Sequence, residues 1–173
     1  MERKRGVPDR RTLQCPALIF VVVASSVAWG NESCETVGRL ASVEGSVELS
    51  HSDDGPWLRG QLDQGLCEGD TIRVGESSRA AVQLINQAIL RLDQSTTIRL
   101  LDITAKKEGK SLLQLVAGAL KSFSRAPRQM AVNTPYVNGM IEGTEFAMRV
   151  GADQTLVTVF EGKVSTLNPQ GKL

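Results

Sequence analysis

His51 is the only histidine of the chain, and Cys15, Cys34 and Cys67 are its only thiols. An enzyme needs a nucleophile beside a base, a paired acid and base, or a metal site. His51 stands in a turn-rich stretch with no CxxC or HxxxH arrangement near it, so it reads as an exposed, solvated imidazole and not as a metal ligand. No GxSxG elbow, HExxH helix or phosphate-binding loop occurs. Asp53 and Asp54 precede Gly55, but the further acidic residues at alternate positions of an EF-hand loop are missing. The sequence therefore predicts no catalytic residue, no metal and no cofactor, and a binding protein in place of an enzyme.

The candidate binding residues are Lys121, Arg125 and Arg128 around Phe123, with Lys106, Lys107 and Lys110 upstream. Gathered in space, these cations suit an anionic glycan, a lipid head group or an acidic protein surface; scattered, they are ordinary solvated loop charge. Ser122 and Ser124 add hydrogen-bonding capacity without a catalytic logic. Salt separates the readings, because affinity for a polyanion falls steeply as salt rises while docking on apolar anchors changes much less.

These residues must be carried by a domain, and its start is marked. Arg3, Lys4, Arg5, Arg10 and Arg11 precede a mostly apolar run from Ala17 to Trp29 that ends in small residues at Ser26, Ala28 and Gly30. This is the layout of a secretory signal over residues 1–30, cleaved or kept as a short anchor, with Arg10-Arg11 as a weak twin-arginine feature. A periplasmic or secreted location follows. Removing residues 1–28 leaves 15 basic against 17 acidic side chains, so no nucleic-acid partner is expected. Cys15 leaves with the signal, and the remaining Cys34 and Cys67 are expected to pair in an oxidising compartment. Closing that loop should stabilise the fold by about 3–4 kcal/mol in the chain-entropy model.

Residues 31–173 then form one all-β domain. Val43, Gly45, Val47 and Leu49 alternate with Glu44, Ser46 and Glu48, which predicts one half-buried strand over Ser42 to Ser50. A turn-rich loop from His51 to Gly60 follows, with Trp57 expected to fold back onto the core. Short β-rich stretches run over Thr71 to Val74, Arg79 to Ile85, Ala88 to Leu92, Thr96 to Ile103, Ala131 to Asn133, Glu145 to Val150, Thr155 to Phe160 and Gly162 to Leu167. About a dozen short strands result, in a solenoid-like, sandwich-like or barrel-like body. Glu44-Gly45, Glu142-Gly143 and Glu161-Gly162 echo one another, each glycine suiting a bulge or corner. Leu112, Leu115, Val116, Ala119, Leu120 and Phe123 alone follow a helical period, and Gly118 among them is too weak a breaker to settle the matter.

The segments Asn133 to Val150, with Gly143-Thr144-Glu145-Phe146 at its centre, and Val159 to Val164, with Gly162, resemble the closing half of a FecR domain. Gly69-Asp70-Thr71-Ile72, Ser78-Arg79-Ala80, Leu92-Asp93-Gln94-Ser95 and Gly118-Ala119-Leu120 follow the family's order, so the resemblance covers nearly all of residues 37–167. It implies strand, glycine, strand over Leu112 to Phe123, and a twisted β-solenoid-like or sandwich-like fold. Within it Gly69-Asp70 suits a tight turn and Thr134-Pro135 a fixed bend; Phe146, Met148 and Val150 face inward while Glu145 and Arg149 face out. Glu145 either accepts hydrogen bonds from a nearby turn or contacts a partner. FecR proteins of iron-uptake signalling place an anti-sigma segment, one membrane span and this domain in series. Here about a dozen residues precede the apolar run, so direct sigma-factor control is not expected, whereas an envelope protein partner is. The chain stops soon after its last predicted strand, as a fragment or truncated reading frame would.

Overall fold

The computed structural model describes residues 34–52, 55–105 and 109–167. The expected signal segment with Cys15, the Asp53-Asp54 pair, Lys106 and Lys107 and the last six residues lie outside them.

Eleven strands run β1 Thr36–Glu44, β2 Val47–Ser50, β3 Leu58–Arg59, β4 Gly65–Cys67, β5 Thr71–Val74, β6 Arg79–Leu84, β7 Ile89–Leu92, β8 Thr97–Asp102, β9 Lys110–Asn133, β10 Asn138–Val150 and β11 Thr155–Leu167. All belong to one sheet, ordered β3-β2-β5-β8-β9-β7-β6-β1-β4, with β10 beside β9 and β11 beside β10. The all-β class expected from the sequence is therefore the class observed. β9 is the strand common to two four-stranded halves: its residues 112–117 pair with β8, and its residues 120–123 pair with β7. Both halves turn their apolar faces into a single core that includes Leu40, Leu49, Ile72, Leu90, Ile98, Leu115, Met130 and Met148.

Alternation explains most of these elements. In β6 and β7, Ala80, Val82, Leu84, Leu90 and Leu92 are buried while Arg79 and Arg91 are exposed, as expected of strands with one face on the core. The helical period at Leu112 to Phe123 does not make a helix; that segment is the first half of β9. Period fails there because the chain turns a corner, so the apolar face changes phase. Gly118 makes the corner at φ +85°. A Cβ on it would lie 2.4 Å from Thr96 Oγ1 and 2.5 Å from Thr96 Cα, closer than non-bonded atoms come. Thr96 Oγ1 locks the corner, donating to the Ala119 carbonyl at 3.1 Å and accepting from its N–H at 3.0 Å.

A second corner follows at Ser124 to Pro127. Between the pairs Glu145↔Phe123 and Gly143↔Arg128, β9 advances five residues while β10 advances two, and Ser124 Oγ bridges the bulge to the Ala126 carbonyl at 2.6 Å. Proline inside a bulge forfeits no ladder hydrogen bond. Straight, the 24 residues of β9 would stretch roughly 80 Å. Instead Lys110 and Leu112 near its start line one cavity with Ala131 and Asn133 at its end.

Five local expectations are corrected. Ser42 to Ser50 is not one strand, because Gly45 at φ +77° turns the chain between β1 and β2. Ala131 to Asn133 is the end of β9 and not a separate strand, and the two halves of β11 are continuous. The closing strands are long: β9, β10 and β11 span 24, 13 and 13 residues. Trp57 does not fold onto the core but remains 38% exposed, with the Arg73 guanidinium 4.0 Å from its ring centroid. Stacking a cation on the ring satisfies its quadrupole without burial.

Candidate functional site

The motif residues mostly hold corners. Gly69, at φ +87°, turns the chain so that buried Asp70 can accept the Cys67 N–H at 2.8 Å. The other Asp70 oxygen lies 2.8 Å from His51 Nδ1. His51 is thus not a solitary solvated imidazole: its ring is half exposed, but one nitrogen is held by a carboxylate that is itself 1% exposed. A buried carboxylate requires such partners. Cys67 is disulfide-bonded to Cys34, with Cα atoms 6.0 Å apart, so the crosslink ties the entrance of β1 to this turn.

Ser78 is buried, accepts the Ser46 N–H at 2.8 Å and donates to the Glu76 carbonyl at 2.9 Å. Thr134 caps the β9–β10 turn: its N–H donates to the Val137 carbonyl at 3.0 Å and its Oγ1 accepts the Val137 N–H at 3.0 Å. Pro135 follows it, exposed, in that turn. Gly143 and Gly162 face each other across β10 and β11. A Cβ on Gly143 would lie 2.3 Å from the Glu161 carbonyl oxygen, and one on Gly162 2.4 Å from that of Glu142. Thr144 is the extra residue of the bulge beside them. Phe146 and Met148 are buried and Val150 packs against the core, while Arg149 faces out, as expected. Among the described residues, no three His, Cys, Asp or Glu side chains gather in a way that could hold a metal ion.

The basic cluster is only partly assembled. Lys121 and Phe123 line one cavity with Ile89, Arg91 and Glu145. Arg125 and Arg128 sit at and just after the second corner of β9 and line neither cavity around Lys121. The corner lies between Phe123 and Arg128, and it leaves both arginines out of the cavities that Lys121 lines. Lys110 lies at the far end of the strand. Glu145 is committed within the chain, its Oε1 2.6 Å from Lys121 Nζ.

What sequence reading missed is the set of cations that does converge. Arg79 on β6, Arg91 on β7, Lys121 on β9 and Arg149 on β10 open onto one groove of about 500 Å³, together with Asp93, Ala119, Ala147, Leu156 and Thr158. They come together because register places Ala81, Arg91, Lys121, Ala147 and Thr158 in one row across five strands, all on the face opposite the core. Asp93 lies 3.6 Å from Arg79 and 3.8 Å from Arg149. The Lys121 ammonium also stands 4.8 Å from the centroid of the Phe160 ring.

The fold and these contacts define an all-β domain in which the motif residues serve architecture and the outward face carries the cationic groove. The family model described as FecR protein matches residues 70–165, and the chain belongs to the FecR family. That family consists of sensor and regulatory domains, typically of the cell envelope. No curated protein and no solved structure matched the chain.

Proposed function

We propose that this chain is an exported, non-catalytic FecR domain that works as a sensor or scaffold of the cell envelope, receiving a protein partner as an added strand along β11. The observation that carries the reading is the free side of that strand. β11 runs for 13 residues, and among the described residues it pairs with β10 alone. Leu156, Phe160 and Leu167 along it are 62%, 57% and 62% exposed. An unpaired edge of that length presents a row of backbone donors and acceptors that another strand can complete. The other two ends of the sheet order, β3 and β4, are two and three residues long, too short to offer the same template. Family membership supports the sensor role, and the Cys34–Cys67 bond is in keeping with an oxidising compartment.

The test is photo-crosslinking in intact envelopes with probes placed in turn at Leu156, Phe160 and Leu167, and at Arg59 on β3 as a control. An added strand predicts that the three β11 probes reach successive positions of one extended segment of one protein, while the control does not. Crosslinks confined to glycan or lipid, or scattered over unrelated proteins, would sink the reading.

A further inference from the structure

We propose that the groove walled by Arg79, Arg91, Lys121 and Arg149 is a second site, bordering β11, that binds an acidic glycan, gripping the carboxylates of successive sugar residues. Four cations open onto it against one carboxylate, Asp93, that two of the arginines share at 3.6 and 3.8 Å. Lys121 has Glu145 beside it, but Arg91 has no hydrogen-bond or ion-pair partner among the described residues. Arg91 and Lys121 are also direct cross-strand neighbours, an arrangement of like charges that costs stability in a sheet. Glu145 offsets the charge of Lys121, which leaves the Arg91 guanidinium as the group an incoming anion would pair with.

The groove has room because small residues separate the large ones. Ala119 and Ala147 line it and stand in register beside Arg149 and Lys121, leaving the cationic side chains as walls over a floor of methyl groups. Its volume, about 500 Å³, falls within the roughly 300–1,000 Å³ usual for small-ligand sites. Leu156, Thr158 and, beyond Lys121, the exposed Phe160 ring supply the apolar and hydroxyl contacts a sugar face uses.

An acidic peptide has the same charge, and the sheet argues against it. At the rows of Arg91, Lys121 and Ala147 the strands β6, β7, β9 and β10 are each paired on both sides. No main-chain donor or acceptor is left in the floor to hold an extended peptide, which would have to bind on the edge of β11. A polysaccharide needs only side-chain forks and an apolar floor, and arginine forks match carboxylates.

The experiment is calorimetric titration of the purified protein with hexagalacturonate at low salt, repeated at rising salt. Saturable binding is expected, weakening with salt, and weakened about tenfold or more by Arg91→Ala or Arg149→Ala, since each removes a charge-assisted contact. Ala147→Leu, which fills the floor without changing charge, should weaken it too, while Arg59→Ala on β3 leaves it unchanged. Circular dichroism of each variant establishes that the fold is retained. The proposal is overturned if hexagalacturonate does not bind, if the arginine and Ala147 variants bind it as well as the parent protein does, or if hexaglutamate or neutral maltohexaose binds as tightly.

Discussion

Gly118 is the residue on which the two halves of the sheet depend. Its left-handed φ of +85° and its approach to Thr96 act together, so a side chain there meets both a strained backbone and a collision. Replacing Gly118 with Ala should lower stability by about 2–4 kcal/mol, the sum of the backbone strain and the disturbance of packed neighbours. Urea unfolding would register this as a lower midpoint with an unchanged slope. A variant as stable as the parent would mean that the corner is held by Thr96 alone. Asp70 shows why residue-scale roles were only half legible. As Gly69-Asp70 it is a turn signal in the sequence; its partner His51 lies 19 residues away, and no local pattern joins them.

At the scale of elements, alternation made most of β5 to β8 readable, because short strands with one face on the core carry the pattern undiluted. It failed over the first half of β9, where the corner at Gly118 shifts the apolar phase and imitates a helical period, and only the family resemblance gave strands. The convergent cations were invisible for a related reason. Alternation tells which face a residue takes but not which strands are neighbours, and Arg79, Arg91, Lys121 and Arg149 come from four strands. The disulfide belongs to this scale as well, since it ties the start of β1 to the end of β4 across 33 residues. Reducing it, or replacing both cysteines by serine, should cost about 3–4 kcal/mol by the loop-closure argument. Denaturation with and without reductant measures the difference, and an unchanged midpoint would show that the sheet alone restrains the open chain.

For the whole molecule, the governing fact is that β9 is the shared member of both halves. Without it, β3-β2-β5-β8 and β7-β6-β1-β4 are separate four-stranded pieces. In pulsed hydrogen exchange during refolding, amides of β7 and β8 should therefore gain full protection in the same phase as residues 112–123 of β9. Protection of β8 well before β9 would contradict this. The chain past the second corner then completes the same core, with Met130, Ile141, Phe146 and Met148 buried in it and β10 laid back along β9.

The order of strands also has a consequence for how such a chain is delivered. A polypeptide that emerges N-terminus first presents β1 to β8 before β9 is available. During that interval two half-built sheets exist side by side, each with an open hydrogen-bonding border at β8 or β7 waiting for the same strand. The Cys34–Cys67 crosslink joins neighbouring strands of one piece, β1 and β4, and so braces that piece without tying it to the other. The hazard of mispairing is thus confined to the interval before residues 110–123 emerge, and any slowing of the chain there would lengthen it.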